Sequence, residues 1–184
     1  MTHEARAVVL VEGISDQLAV EALAARRGRN LDAEGVAVVP IGGAQAVGKV
    51  LDRYGPAGLD LRLAGLCDAA EERHFQRALE RGGFGSDLTR KDMESLGFYV
   101  CEADLEDELV RALDTAVLEQ IIEAQGESAS FRTFQKQLEK RSLSPEQQLH
   151  GFMWNRKIRY APLLVEALDL AEVPRPLDRV LAHV

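Results

Sequence analysis

The chain has 184 residues, the size of one domain, with 46% hydrophobic and 28% charged residues. That balance excludes a mainly disordered chain, a collagen-like chain and a coiled-coil rod. No run of about 18 apolar residues is present to cross a membrane. The net charge of −8 argues against a constitutive nucleic-acid binder. The charge is uneven, however. Ser128 to Tyr160 holds seven basic residues against two acidic ones, a local +5 that leaves the remainder at −13.

Met1 to Arg6 leads straight into an apolar strand, so no signal peptide is read. Ala5–Val11 is short, Val-rich and nearly continuously apolar, which suits a strand buried on both faces. Ser15–Ala25 places Leu18, Ala19, Ala22 and Leu23 on one helical face, with Ser15 as the expected N-cap. Strands are expected at 35–41, with Pro40 at the end, at 59–67 and at 97–101. Helices are expected at 44–54, 71–81 and 105–113. Residues 82–95 are Gly-rich and polar and read as a long loop. After Asp114 the strand signal ends. Helical periodicity continues through 115–123, 131–140, 145–154 and 161–170.

Strand–helix alternation predicts an α/β fold, a parallel sheet with helices on both faces. The division expected is an α/β body over 1–114 and a helical extension over 115–184, basic in 128–160 and packed on the same body. Phe131, Phe134, Leu138, Leu149, Phe152 and Met153 are expected core residues of that extension, or else a dimer or docking surface. Cys67 and Cys101 are too few for a disulfide scaffold or a structural zinc site. They predict two reduced, buried thiols in a cytoplasmic protein.

In a parallel sheet, sites form outside the C-terminal ends of the strands. Here strand one is followed by Glu12-Gly13 and Asp16, strand two by Gly42-Gly43, strand three by Asp68 and Glu71-Glu72, and strand four by Glu102, Asp104 and Glu106. Crowded carboxylates repel one another unless a cation joins them, and oxygen-only donors suit magnesium or manganese. Two such ions about 4 Å apart would clamp the attacking and leaving oxygens of a phosphodiester. Capping accounts equally for several of these acids: Asp16 complements the first turn of a helix, and Asp104 with Asp107 has the N-cap spacing. Glu12 and Asp68 directly end apolar strands, where no cap is needed.

Gly43 to Lys49 fits the G-x-x-x-x-G-K part of a P-loop, but Val50 stands where a hydroxyl would hold magnesium. No nucleotide cofactor is therefore expected. Lys49 is read as a solvated helix residue or a phosphate contact at a helix start.

Val9-Leu10-Val11-Glu12-Gly13-Ile14-Ser15-Asp16 resembles the opening motif of TOPRIM domains, and among them most closely the OLD (overcoming lysogenisation defect) nucleases. Val38 to Ala44, Leu63 to Asp68, Asp104-Leu105-Glu106 and Lys157-Ile158-Arg159-Tyr160-Ala161 follow in the family's order, so the resemblance spans about residues 6 to 165. It implies a Rossmann-like TOPRIM fold and a DNA endonuclease or nickase using two magnesium or manganese ions. In this implied site Glu12, Asp16, Asp68, Asp104, Glu106 and Glu72 are the metal ligands. Glu12, Asp68 and Lys157 are the catalytic residues, with Lys157 stabilising charge in the transition state. The basic tail, through Lys136, Lys140, Arg141, Arg156 and Arg159, is expected to track DNA.

Two departures qualify that expectation. The family's Asp-x-Asp reads Asp68-Ala69-Ala70, so Ala70 replaces the second acid, and Glu71 or Glu72, one or two residues later, is expected to reach in its place. The ABC-type ATPase domain that precedes TOPRIM in OLD nucleases has no counterpart in this sequence, so the expectation is either an excised domain or a free-standing TOPRIM protein, with an ATPase acting in trans in the second case. Two alternatives follow: a catalytically degenerate module that binds nucleic acid or an ATPase partner, and a receiver-like domain phosphorylated on Asp68.

Overall fold

Four parallel strands pair in the order β2-β1-β3-β4: β1 Ala7–Val11, β2 Val36–Pro40, β3 Arg62–Asp68 and β4 Phe98–Cys101. The structure, a computed structural model, describes residues 5–184. Met1–Glu4, part of the segment from which no signal peptide is read, lie outside the described residues. β1 is central, and all five of its side chains are buried, which is why its sequence does not alternate. Pro40 ends β2, an edge strand, where its missing N–H costs no ladder bond.

Successive strand residues point to opposite faces, so two cores form. One gathers Val8 and Leu10 of β1, Leu63 and Cys67 of β3 and Phe98 of β4. Helices α2 (Val47–Tyr54, after a 3₁₀ turn at Ala44–Ala46), α3 (Glu72–Arg81) and α4 (Arg90–Ser95) cover it. The other gathers Val9, Val11, Leu66, Tyr99 and Cys101. It lies beneath α1 (Ile14–Arg26), α5 (Leu105–Arg111), α9 (Lys157–Ala167) and α10 (Arg175–His183). Helices α6 (Thr115–Ala124), α7 (Ser128–Gln135) and α8 (Pro145–Trp154) extend this second core through Leu118, Ile122, Phe131, Leu149 and Phe152. Cys67 and Cys101 are free, buried and on opposite sheet faces, and burial pushes both thiols far up.

Several expectations are corrected. Ser15 is not the N-cap of α1. Gly13 holds that position, and Ser15 is buried within the first turn. The expected loop at 82–95 contains α4, started by a Thr89–Asp92 capping box. Helix α7 stops at Gln135, so Leu138 leaves the apolar stripe and is 85% exposed. Helix α10 was not expected; it packs Leu177, Val180 and Leu181 into the second core.

Candidate active site

The sheet's C-terminal edge brings together acids that are distant in sequence. Glu12 leaves β1 and turns toward β3, where its Oε1 accepts a hydrogen bond of 2.8 Å from the Asp68 N–H. Asp68 is the last residue of β3. Asp16 lies in the first turn of α1 and accepts from the Gly13 N–H at 2.8 Å. Asp104 caps α5, accepting from the Asp107 N–H at 2.7 Å, so its expected capping role is real. Beside β1 the chain leaves β2 through Gly42 and Gly43 with φ of 72° and 114°, a left-handed turn that glycine makes without strain.

Glu106 is the most enclosed acid, 3% exposed, and its Oε1 is buried without a hydrogen-bond partner. Lys157 Nζ is 3.9 Å from that oxygen. The same ammonium lies 4.7 Å above the Trp154 ring. Lys157 is the first residue of α9, an end where the helix dipole disfavours a cation. The carboxylate cluster in front of it supplies the opposing field.

Crowding shows in the acidities. Burial, and then the charges of Glu12, Asp16, Asp104 and Glu106, pushes the Asp68 carboxyl up to about 8. Burial is also the first cause of upward shifts at Glu12, Asp16 and Glu106. Neighbouring carboxylates add to each shift, and Lys157 opposes it. Asp104 behaves differently. Burial works to raise it, but His150, the Asp107 N–H and Lys157 outweigh that and hold it below the usual range. His150 Nε2 lies 3.6 Å from Asp104 Oδ1, and this partner raises the imidazole's pKa.

Other expected residues stand apart. Glu72 is paired with Arg90, its Oε1 accepting from Arg90 Nε at 3.0 Å, which draws it away from the other acids. Glu71 is the nearer acid: its charge bears on Glu12, and its Oε2 is 3.0 Å from His74 Nδ1. In the tail, Glu127 sits 3.0 Å from Arg159 and 3.6 Å from Arg156. Arg156 also stacks on the Phe152 ring at 4.1 Å. Lys140 is 3.5 Å from Glu139, and Arg141 Nε donates to the Lys136 carbonyl. Lys136 and Arg141 are exposed. The tail's free positive charge is thus smaller than its composition suggests. Glu71 was one of the two acids expected to stand in for the one missing at Ala70, whereas Ser15, read only as a cap, and His150 were not singled out for the site. His150 comes to Asp104 from 46 positions away, with no local motif to announce it.

Among the described residues, no group of three or more His, Cys, Asp or Glu side chains is arranged so that it could hold a metal ion. No described helix is long and apolar enough to cross a membrane.

Residues 5–69 match the family model of the overcoming lysogenization defect protein-like TOPRIM domain. Over almost the whole chain the fold is similar to the C-terminal region of the Xanthomonas campestris pv. campestris OLD protein. One structure of that region gives a TM-score of 0.77 at 24% identity, covering 98% of this chain and 92% of that one. A second, phased with iodine, gives 0.75 at 25% identity, with coverages of 97% and 93%. The C-terminal region of the Burkholderia pseudomallei OLD protein gives 0.71 at 22% identity, with coverages of 97% and 96%. No curated protein matches the chain.

Proposed function

We propose, from the match of residues 5–69 to the OLD-like TOPRIM family model, that the chain is a metal-dependent DNA endonuclease or nickase that hydrolyses phosphodiester bonds. One observation carries this reading. Five carboxylates meet at the strand ends with Lys157 beside them, four of them disfavoured as anions, and the buried Glu106 oxygen has no partner. Such a set of hard oxygen donors fits magnesium or manganese. Glu12, Asp16, Asp68, Glu106 and Asp104 are the residues that would hold the ions, with Glu71, whose charge bears on Glu12, the better candidate than the Arg90-paired Glu72 to stand in for the acid missing at Ala70. When bound, two such ions activate a water nucleophile and offset charge on the scissile phosphate.

The chain's own groups then have distinct tasks. The Asp68 N–H holds Glu12 in a fixed direction at the sheet edge. Asp16 and Asp104 each spend one oxygen on a helix-start N–H and keep the other for the site. His150, 3.6 Å from Asp104, favours its ionised form. Lys157, held between Trp154 and Glu106, opposes the negative charge that grows on phosphate oxygens in the transition state.

The test is nicking of supercoiled plasmid with magnesium or manganese, beside Glu12→Ala, Asp68→Ala, Lys157→Gln and an EDTA control. Metal-dependent nicking abolished in the two carboxylate variants and reduced at least ~100-fold in Lys157→Gln is expected. Undiminished nicking in both carboxylate variants overturns the assignment. A catalytically silent module that binds nucleic acid or an ATPase partner is the second reading. Ala70 and the absence, among the described residues, of three acidic, His or Cys side chains placed to hold a metal ion favour it. An intact fold without manganese binding in calorimetry would select it.

A further inference from the structure

A basic face lies on the side of the sheet opposite α9. Arg73, Arg77 and Arg81 recur every fourth residue along α3 and are all exposed. At 1.5 Å per residue they form a stripe about 12 Å long. The acids of α3 are engaged elsewhere. Glu72 is paired with Arg90, and Glu80 accepts from the Leu88 N–H at 2.9 Å. Among the described residues, none of the three arginines has a carboxylate partner. The stripe continues onto α2. Gly48 has no side chain, and a Cβ there would lie 3.7 Å from Arg81 Nη2, so the guanidinium rests over the start of that helix. The next residue, Lys49, is exposed and shares an open depression with His74, Glu71, Gly42 and Gly43. Glu71 in turn lies close enough to Glu12 for its charge to matter there. The positive face therefore begins at the strand-end carboxylates and runs away from them along α3.

We propose that Lys49, Arg73, Arg77 and Arg81 form the track that holds the phosphate backbone of a DNA duplex as it approaches the carboxylate site. The partner's chemistry follows from the spacing. A duplex presents one charge per ~1.7 Å of axis, so a 12 Å row of guanidinium groups meets several phosphates at once. A small anion would need one compact pocket instead. The glycine-rich string that imitates a P-loop thereby gains a role: Gly48 leaves room for Arg81, and Lys49 stands as a phosphate contact without nucleotide hydrolysis. Lys157 on the other flank places the strand ends between two positive walls.

The inference depends on the nuclease reading only for where the track leads. Its test is fluorescence anisotropy with a labelled DNA duplex, calcium replacing magnesium, across a salt series. The variant Arg73→Gln/Arg77→Gln/Arg81→Gln is compared with the tail variant Lys136→Gln/Lys140→Gln/Arg141→Gln, with thermal melting to confirm folding. Losing three phosphate contacts should lower the slope of log affinity against log salt by about 3. Affinity near 0.1 M salt should fall at least ~10-fold, while the tail variant keeps most of its binding. Wild-type affinity and slope in the α3 variant, or no duplex binding by the wild-type protein, overturns the track. Duplex bound through α3 without nicking under magnesium or manganese keeps the track and sinks the nuclease. Nicking by the α3 variant at unchanged KM keeps the nuclease and sinks the track.

Discussion

Glu12 and Asp68 are joined backbone to side chain: the Asp68 N–H donates to Glu12 Oε1 at 2.8 Å, tying the end of β3 to the turn that leaves β1. The contact separates architecture from chemistry. Glu12→Gln keeps an oxygen acceptor and removes one charge from a crowded edge. Glu12→Ala removes the acceptor as well. The alanine variant should be less stable than the glutamine variant by about 1 kcal/mol in urea denaturation. Both should lose nicking. Equal stability of the two variants would mean that the bond contributes nothing to the sheet edge.

Asp68 is the acid most strained by its neighbours, with burial and four like charges acting against its ionised form. Asp68→Asn should therefore stabilise the metal-free protein near neutral pH. A gain of roughly 1 kcal/mol would raise Tm by about 3 °C. Saturating manganese should narrow or reverse the difference, because only the aspartate can exchange repulsion for coordination. A lower Tm for Asp68→Asn in EDTA would contradict the crowding described at the strand ends.

The chain order of strands and the acids at their ends were legible because both are local. A buried strand is a short apolar run, and Glu12 or Asp68 interrupts it abruptly. Capping was legible unevenly. Asp104–Asp107 was recognised, whereas Thr89–Asp92 carried the same spacing and was masked by the surrounding glycines. Helix α10 had Pro174 and Pro176 at its start and Leu177, Val180 and Leu181 at helical spacing, but its short length hid the period. Long-range pairings were not legible at all. No sequence spacing assigns Glu127 to Arg156 and Arg159, or His150 to Asp104, because helix packing alone decides them. Net charge by segment misled for the same reason: it counts paired and free arginines alike.

That pairing is testable in the opposite direction. Glu127 restrains Arg156 and Arg159 and accepts from the Tyr160 hydroxyl. Glu127→Gln keeps an acceptor for the tyrosine but releases Arg159, while Arg156 stays on the Phe152 ring and carbonyl. Duplex affinity should rise a fewfold, and the salt slope should steepen by about 1. Unchanged binding would show that the α8–α9 junction does not face DNA.

His183 and Gly97 give the fold its clearest pH dependence away from the carboxylates. Burial, and then the Arg62 charge, lowers the His183 pKa, so the folded state favours the neutral ring. At high pH both states hold it neutral and the term vanishes. As pH falls through about 6.5, the unfolded chain takes up the proton first, and stability is lost. The ring is partly exposed, so the loss is modest. Over about pH 7.5 to 5.5 this loss opposes the gain from protonating the raised Asp68 carboxyl and His150, so His183→Gln should make Tm rise more on acidification than in the wild-type protein. Gly97 explains why the ring is held there. It has φ of 91°, and a Cβ on it would come within 2.5 Å of the imidazole. Gly97→Ala should therefore cost about 1–3 kcal/mol through backbone strain together with displacement of His183. The same substitution should also remove the His183 contribution to the pH profile, because a displaced ring is solvated in both states. A Gly97→Ala protein that melts lower but keeps the wild-type pH slope would separate strain from titration and remove His183 as the titrating group.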